Sequence, residues 1–251
     1  MRLEITTHIG CPMMCLDCPQ DLLISKYQGF KMLGLDDYKK AIDKVPRECR
    51  IDFSGMCEPF TNMHCADMIL YAYEKGHPLA LYTTLQGATF QDWERLKDVR
   101  YEVVTIHLPD KEGRGHFNIT QDYLELLSMW ETMNYSCHGA VDERVLPYIK
   151  QGKTLITFMH DRAGNVECRP HRTIGTDRHL HCMTSGRNMD HNVLLPDGTI
   201  IMCCMDYGMT GVFGNLFEQS YEEVLHSPEA EKMRGTLIKG ESICRHCANA
   251  I

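Results

Sequence analysis

Six short β-rich segments, Arg2–Thr7, Arg50–Ser54, Pro78–Thr84, Glu102–Leu108, Tyr135–Val141 and Lys153–His160, alternate with helical patterns over the first two-thirds of the chain. The helical patterns fall at Asp36–Val45, Asn62–Lys75, Phe90–Leu96, Gln121–Met133 and Asp142–Lys150. Such alternation predicts parallel β/α units with right-handed crossovers, because parallel neighbours need a long return connection. The fold class is therefore α/β. Periodicity alone leaves two arrangements open, a partial barrel and a doubly wound sheet.

The chain has 251 residues, long for one small domain and short for two full ones. Its 43% hydrophobic and 24% charged residues exclude disordered and collagen-like classes. A net charge of −8 argues against a general nucleic-acid or polyanion binder, which wants a basic face. No apolar run approaches the ~18 residues of a membrane span, and Met1-Arg2-Leu3-Glu4 leads into a strand instead of a signal peptide. A cytoplasmic location with no membrane partner is the expectation. Sulfur is unusual: 13 Cys and 16 Met. In a reducing compartment the cysteines point to metal ligation instead of disulfides, and the methionines read mostly as core filler.

Cys11, Cys15 and Cys18 form C-x3-C-x2-C directly after the first strand. Three thiolates on one short loop suit three corners of an iron–sulfur cube and leave one iron open to a substrate or cofactor. A structural zinc site, built from cysteine pairs and four ligands, is the alternative. Cys182, Cys203, Cys204, Cys244 and Cys247 make a second group, in which Cys244-x2-Cys247 with Cys182 and Cys203 could complete a four-thiolate site for a cluster or zinc. Cys49, Cys57, Cys65, Cys137, Cys168 and Cys204 read by default as small buried hydrophobes.

Polar residues also gather where the strands end. They are Ser54-Gly55-Met56-Cys57-Glu58-Pro59, Thr83-Thr84, His107-Leu108-Pro109-Asp110 and His160-Asp161-Arg162-Ala163-Gly164-Asn165. In barrels and open α/β sheets that edge is where ligands bind and reactions occur. The character of the chain changes after about residue 165. Val166–His181 is rich in Arg and His, and reads as a solvated interdomain segment. Asn192–Leu195 and Thr199–Met202 flank Pro196-Asp197-Gly198 as a hairpin, and a helix starts near Ser220–Leu225. A boundary near 175–180 would leave domains 1–178 and 179–251.

These motifs resemble the radical S-adenosylmethionine (SAM) superfamily. The C-x3-C-x2-C loop resembles its cluster signature, and Gly55-Met56-Cys57-Glu58-Pro59 resembles its glycine-rich SAM motif, with Glu58 receiving the methionyl amine. Thr83 and Thr84 resemble the strand end that meets the SAM ribose or carboxylate. Asp17 stands where an adenine-touching aromatic is common, and Cys57 replaces the motif's second glycine. The implied fold is a partial (β/α)6 TIM-like barrel. The tail resembles the SPASM/Twitch extension: Cys182, fifteen residues, Gly198, four residues and Cys203, then Gly214-Asn215-Leu216 and Cys244-x2-Cys247. That pattern selects Cys203 over Cys204 and implies the shorter Twitch form, with one auxiliary cluster.

The resemblance implies two [4Fe-4S] clusters and S-adenosylmethionine, reduced by a one-electron donor such as flavodoxin or ferredoxin. Reductive cleavage of the sulfonium would give methionine and a 5′-deoxyadenosyl radical that abstracts a substrate hydrogen atom. Length and layout resemble the Twitch-type dehydrogenases that oxidise a cyclitol, which implies the auxiliary cluster as electron acceptor. Asp161-Arg162-Ala163-Gly164 is similar to an active-site stretch there, which makes Arg162 the substrate-hydroxyl partner and His160 or Asp161 the proton acceptors. A sugar or cyclitol is the expected substrate. A peptide maturase or epimerase is the runner-up, disfavoured because the barrel begins at residue 3 and the chain stops four residues after Cys247. Epimerisation would also need a thiol donor such as Cys137 or Cys204. A non-catalytic zinc module is the distant third.

Overall fold

The computed structural model describes residues 1–157, 161–166 and 173–251. Strands β1 (Arg2–Ile5), β2 (Arg50–Phe53), β3 (Leu79–Thr83), β4 (Val103–His107), β5 (Asn134–Ser136) and β6 (Thr154–Ile156) lie side by side in chain order, every neighbouring pair parallel. Helices α1 (Gln20–Lys26), α2 (Leu35–Ile42), α3 (Cys65–Glu74), α4 (Phe90–Leu96) and α5 (Gln121–Met129) fall in the connections. A doubly wound sheet reverses its strand order at a switch point. These six strands never reverse, so they form an open, partial β/α barrel.

Alternation along the strands decides which side is core. Leu3 and Ile5, Ile51 and Phe53, Leu79 and Leu81, Val104 and Ile106 are all buried, and they belong to one cluster with Tyr38, Ala41 and Ile42 of α2 and Met68, Ile69 and Ala72 of α3. The intervening positions carry Glu4, Asp52, Tyr82, Thr105 and His107, which face the barrel interior. Strands of a parallel sheet covered on both faces usually read as continuous apolar runs. Here the inner face is polar, and the site lies on it.

Strands β7 (His191–Leu194), β8 (Thr199–Ile201) and β9 (Val212–Asn215) extend the same sheet beyond β1. Strand β7 pairs parallel with β1, and β8 and β9 follow antiparallel, with a register shift at Ile200/Ile201. The hairpin turns on Gly198 at φ +86, where a Cβ would lie 2.3 Å from Asn215 Oδ1, so only glycine fits. Ser220 caps α6 (Tyr221–Leu225) through a reciprocal box with Glu223, and Ser227 caps α7 (Pro228–Ile238).

One predicted helix is absent. Asp142–Lys150 contains only a 3-10 turn, Leu146–Tyr148, because Pro147 lacks the N–H that an α-helix would need there. Conversely, α1 follows the cysteine loop with no periodic signal to announce it. Of the predicted sixth strand, Thr154–Ile156 is present, and residues 158–160 lie outside the described residues. Among the described residues no helix is long and apolar enough to cross a membrane.

Candidate active site

A cavity of about 370 Å³ opens at the carboxyl ends of β1 to β5 and inside the barrel. Cys11, Cys15 and Cys18 line it together with Gly55, Met56, Glu58, Thr83, Thr84, Asp17 and Arg162. A larger groove of about 510 Å³ lies at the opposite, amino ends of the strands between Trp93, Tyr101 and Trp130, and it contains no cysteine or histidine. Of these two hollows, the first is the one that carries cysteine and histidine side chains among the described residues.

The cysteine loop is held by backbone bonds to a distant segment. Leu16 N–H donates to Arg114 O at 2.8 Å, and His116 N–H donates to Met13 O at 2.7 Å. Glu58 N–H donates to Cys11 Sγ at 3.3 Å, and Tyr207 Oη stands 3.3 Å from Cys18 Sγ. Burial pushes the Cys15 thiol up to about 12, helped by Cys18, Cys11 and Asp17. Burial also raises Cys11, despite backbone donors from Met13 and Glu58. Thiols that repel one another as thiolates are the donor set that a cationic cluster stabilises, since coordination deprotonates them. Among the described residues no three His, Cys, Asp or Glu converge on a single ion. Thiolates that each bind a different iron of a cube need not converge, so the trio suits that group.

Glu58 is the most heavily bonded carboxylate of the cavity. Its Oε1 accepts from Thr83 Oγ1 at 2.6 Å and Phe60 N–H at 3.1 Å, and its Oε2 accepts from Thr84 Oγ1 at 2.7 Å and Thr84 N–H. Burial raises its carboxyl above the usual range, although all four donors oppose that. The residues expected to meet different parts of SAM are thus bonded to one another first. Gly55 sits at φ +51 against β1, where a Cβ would fall 2.6 Å from Ile5 O. Met56 is buried, its N–H donating to Thr6 Oγ1. Asp17 is buried beside His138 Nδ1 at 3.5 Å and Arg114 at 3.9 Å.

Arg162 enters from a strained turn, with Arg162 at φ +50 and Ala163 at φ +55. Its guanidinium lies 5.9 Å from the Tyr207 ring centroid and lines the cavity. Among the described residues no carboxylate pairs with it within 4.0 Å. Asp161 is not in the cavity wall; it is buried, accepts from Ala163 N–H at 3.2 Å and stands near enough to Cys247 to raise that thiol. His160 lies outside the described residues, as do Cys168 and most of the basic stretch after Val166.

In the second cysteine group, Cys203 and Cys247 each interact with Cys244, and Cys244 with Cys182. Burial raises Cys203, Cys244 and Cys247, the last to about 11. Burial would raise Cys182 too, but hydrogen bonds from Ser185 and Thr184 outweigh it and lower that thiol. Cys204 turns the other way and lines the cavity beside Glu4. The default reading of Cys204 and Cys57 as core filler is therefore corrected: both are cavity-wall residues, whereas Cys49, Cys65 and Cys137 are buried.

Glu4, Asp52 and His191 of the cavity floor belong to none of the motifs. Glu4 and His191 face each other at 2.7 Å, with Ser54 Oγ donating to Glu4 at 2.8 Å. Asp52, in register with Glu4 on the next strand, holds Arg50 at 2.6 and 2.7 Å. The available signal was a single charge inside an apolar alternation, Leu3-Glu4-Ile5 and Ile51-Asp52-Phe53. His107 also lines the cavity, stacked on Phe117 and edge-on to His138. Burial, then the neighbouring His138, lowers its imidazole to about 3, so it is neutral at working pH.

Residues 182–248 match the SPASM iron–sulfur cluster-binding domain. The whole chain is similar to the solved structure of BtrN in complex with AdoMet and 2-DOIA, at 16% identity and a TM-score of 0.69, covering 99% of this chain and 92% of that one. It is also similar to anSMEcpe with bound AdoMet, at 12% identity and 0.61, covering 97% and 82%. SuiB of Streptococcus suis bound to precursor peptide SuiA aligns at 14% identity and 0.55, covering 98% and 69%. No curated protein matches the sequence.

Proposed function

We propose that this chain, which has the radical SAM fold with a C-terminal SPASM/Twitch-type iron–sulfur domain, is an enzyme that cleaves S-adenosylmethionine reductively and oxidises a small polar substrate such as a sugar or cyclitol. The cofactors of that architecture are [4Fe-4S] clusters and S-adenosylmethionine. One observation carries the reading: the three-cysteine loop, the Gly55–Glu58 turn, Thr83, Thr84 and Arg162 share one cavity, while the remaining ligand candidates gather elsewhere.

Cys11, Cys15 and Cys18 would hold the first cluster, and Cys182, Cys203, Cys244 and Cys247 the second, which would serve as acceptor for the second electron of the substrate oxidation. When bound, the open iron and SAM supply a carbon-centred radical able to take hydrogen from an unactivated carbon. The chain's own residues do the rest. Glu58, fixed by Thr83, Thr84 and Phe60, presents a preorganised negative edge toward the methionyl amine. Thr83 and Thr84 hold that edge in place, and Gly55 lets the turn approach β1. Asp17, buried beside His138 and Arg114, would meet the adenine. Arg162, without a carboxylate partner among the described residues, is the donor for a substrate hydroxyl. A one-electron donor such as flavodoxin or ferredoxin would supply the electron.

A peptide substrate is the second reading. The likeness to SuiB bound to precursor peptide SuiA and to anSMEcpe with bound AdoMet and Cp18Cys peptide supports it, and so does the Cys204 thiol in the cavity wall.

The test is anaerobic purification with metal analysis and turnover. About eight iron and eight sulfide per chain are expected for two cubane clusters, with 5′-deoxyadenosine formed under dithionite. Cys15→Ala should abolish that product, and Cys244→Ala should spare it. Stoichiometric zinc without iron would end the proposal. Acceleration of 5′-deoxyadenosine formation by aminocyclitols and sugars, compared with thiol-containing peptides, separates the two readings.

A further inference from the structure

Tyr207 comes from the loop after Cys203-Cys204, yet its phenol reaches the amino-terminal cysteine loop. It is 2% exposed, and its Oη stands 3.3 Å from Cys18 Sγ, 189 positions away in the chain. It belongs, with Ile9, Leu23, Tyr27, Met56 and Val193, to an apolar cluster separate from the main core. The Arg162 guanidinium covers the ring at 5.9 Å from its centroid. The phenol is therefore buried, at a distance suited to a bond with sulfur.

The direction of that bond follows from the chemistry of the partner. A cysteine that binds iron is a thiolate with no hydrogen to give, so the phenol must donate. Hydrogen bonds to cluster sulfurs are one of the protein's levers on reduction potential, because an added electron raises the negative charge on sulfur and strengthens the bond. The geometry points to Tyr207 as a positioning residue that raises the reduction potential of the cluster held by Cys11, Cys15 and Cys18. The carboxyl-terminal iron–sulfur domain thereby sets how readily the amino-terminal cluster accepts its one electron. This rests on the assignment of that cluster under the proposed function.

The experiment is a potentiometric titration with dithionite on the anaerobic full-length chain, with no substrate present. The electron paramagnetic resonance signal followed is the one that changes when S-adenosylmethionine is added. Tyr207→Phe keeps the ring and removes only the hydroxyl. Loss of one hydrogen bond should lower the reduced-to-oxidised ratio at fixed potential about threefold to tenfold, a shift to more negative potential of up to about 59 mV for one electron. Tyr27→Phe is the control. Its phenol belongs to the same cluster but bonds Phe30 O and Asp197 N–H, so its removal should leave the potential unchanged. An unchanged potential in Tyr207→Phe overturns the inference and leaves the function intact. An equal shift in Tyr27→Phe overturns it too, by assigning the effect to packing. A wild-type chain with no SAM-responsive signal removes the cluster assignment itself.

Discussion

Glu4 Oε1 and His191 Nε2 lie 2.7 Å apart at the junction of β1 and β7, on the floor of the cavity. Burial works against both charges, pushing the Glu4 carboxyl up and the His191 imidazole down. Their mutual attraction, with Ser54 and Cys204 beside the carboxylate, outweighs that: Glu4 ends lowered from 4.5 and His191 raised from 6.5. A raised histidine contributes its stability in full below its unfolded value and loses it as pH rises through the folded one. A lowered carboxyl contributes above its unfolded value and loses it as pH falls through the folded one. Both contributions are therefore complete between about pH 4.5 and 6.5. Glu4→Gln should cost most in that window, and the difference from wild type should shrink at pH 9. Urea unfolding at pH 5.5, 7 and 9 measures it; a pH-independent difference would show that the pair is not ionised.

Glu58 offers a second test, because its four donors all come from the chain itself. Glu58→Gln places an amide NH2 against Thr84 N–H and its hydroxyl, leaving buried donors unmatched. A loss of about 1–3 kcal/mol is expected, with Thr84→Val costing less because one donor leaves with the side chain. Denaturant midpoints decide this, and equal stability of wild type and Glu58→Gln would mean that the clamp is not formed.

Arg245, between Cys244 and Cys247, is fully buried and donates, among the described residues, to four carbonyl oxygens, those of Gly175, Arg178, Thr236 and Gly240. It ties the segment before Cys182 to the end of α7. Arg245→Met should strand those acceptors and cost about 3 kcal/mol or more. Amide hydrogen exchange should accelerate around 173–180 and 236–247 while β1 to β4 stay protected. Uniform acceleration across the chain would contradict a local role.

Much of this organisation was legible in the residues. The strand–helix alternation specified parallel units, and C-x3-C-x2-C and Cys244-x2-Cys247 marked two ligand groups, because ligand spacing on a loop is a local property. Asp197-Gly198 marked its hairpin for the same reason. The Asp142–Lys150 helix failed on Pro147, a local rule outweighed by an otherwise helical pattern.

What no local pattern carried was the meeting of distant side chains. Glu4 with His191, Cys18 with Tyr207, and Cys204 facing the cavity while Cys203 faces Cys244 all depend on β7 pairing with β1. That pairing sets a register between strands about 190 positions apart. Within one strand the two-residue period says only that neighbouring side chains point to opposite faces. Which charges then share a face is decided by the packing of whole elements, where burial of the outer apolar face leaves the inner polar positions no place but the barrel.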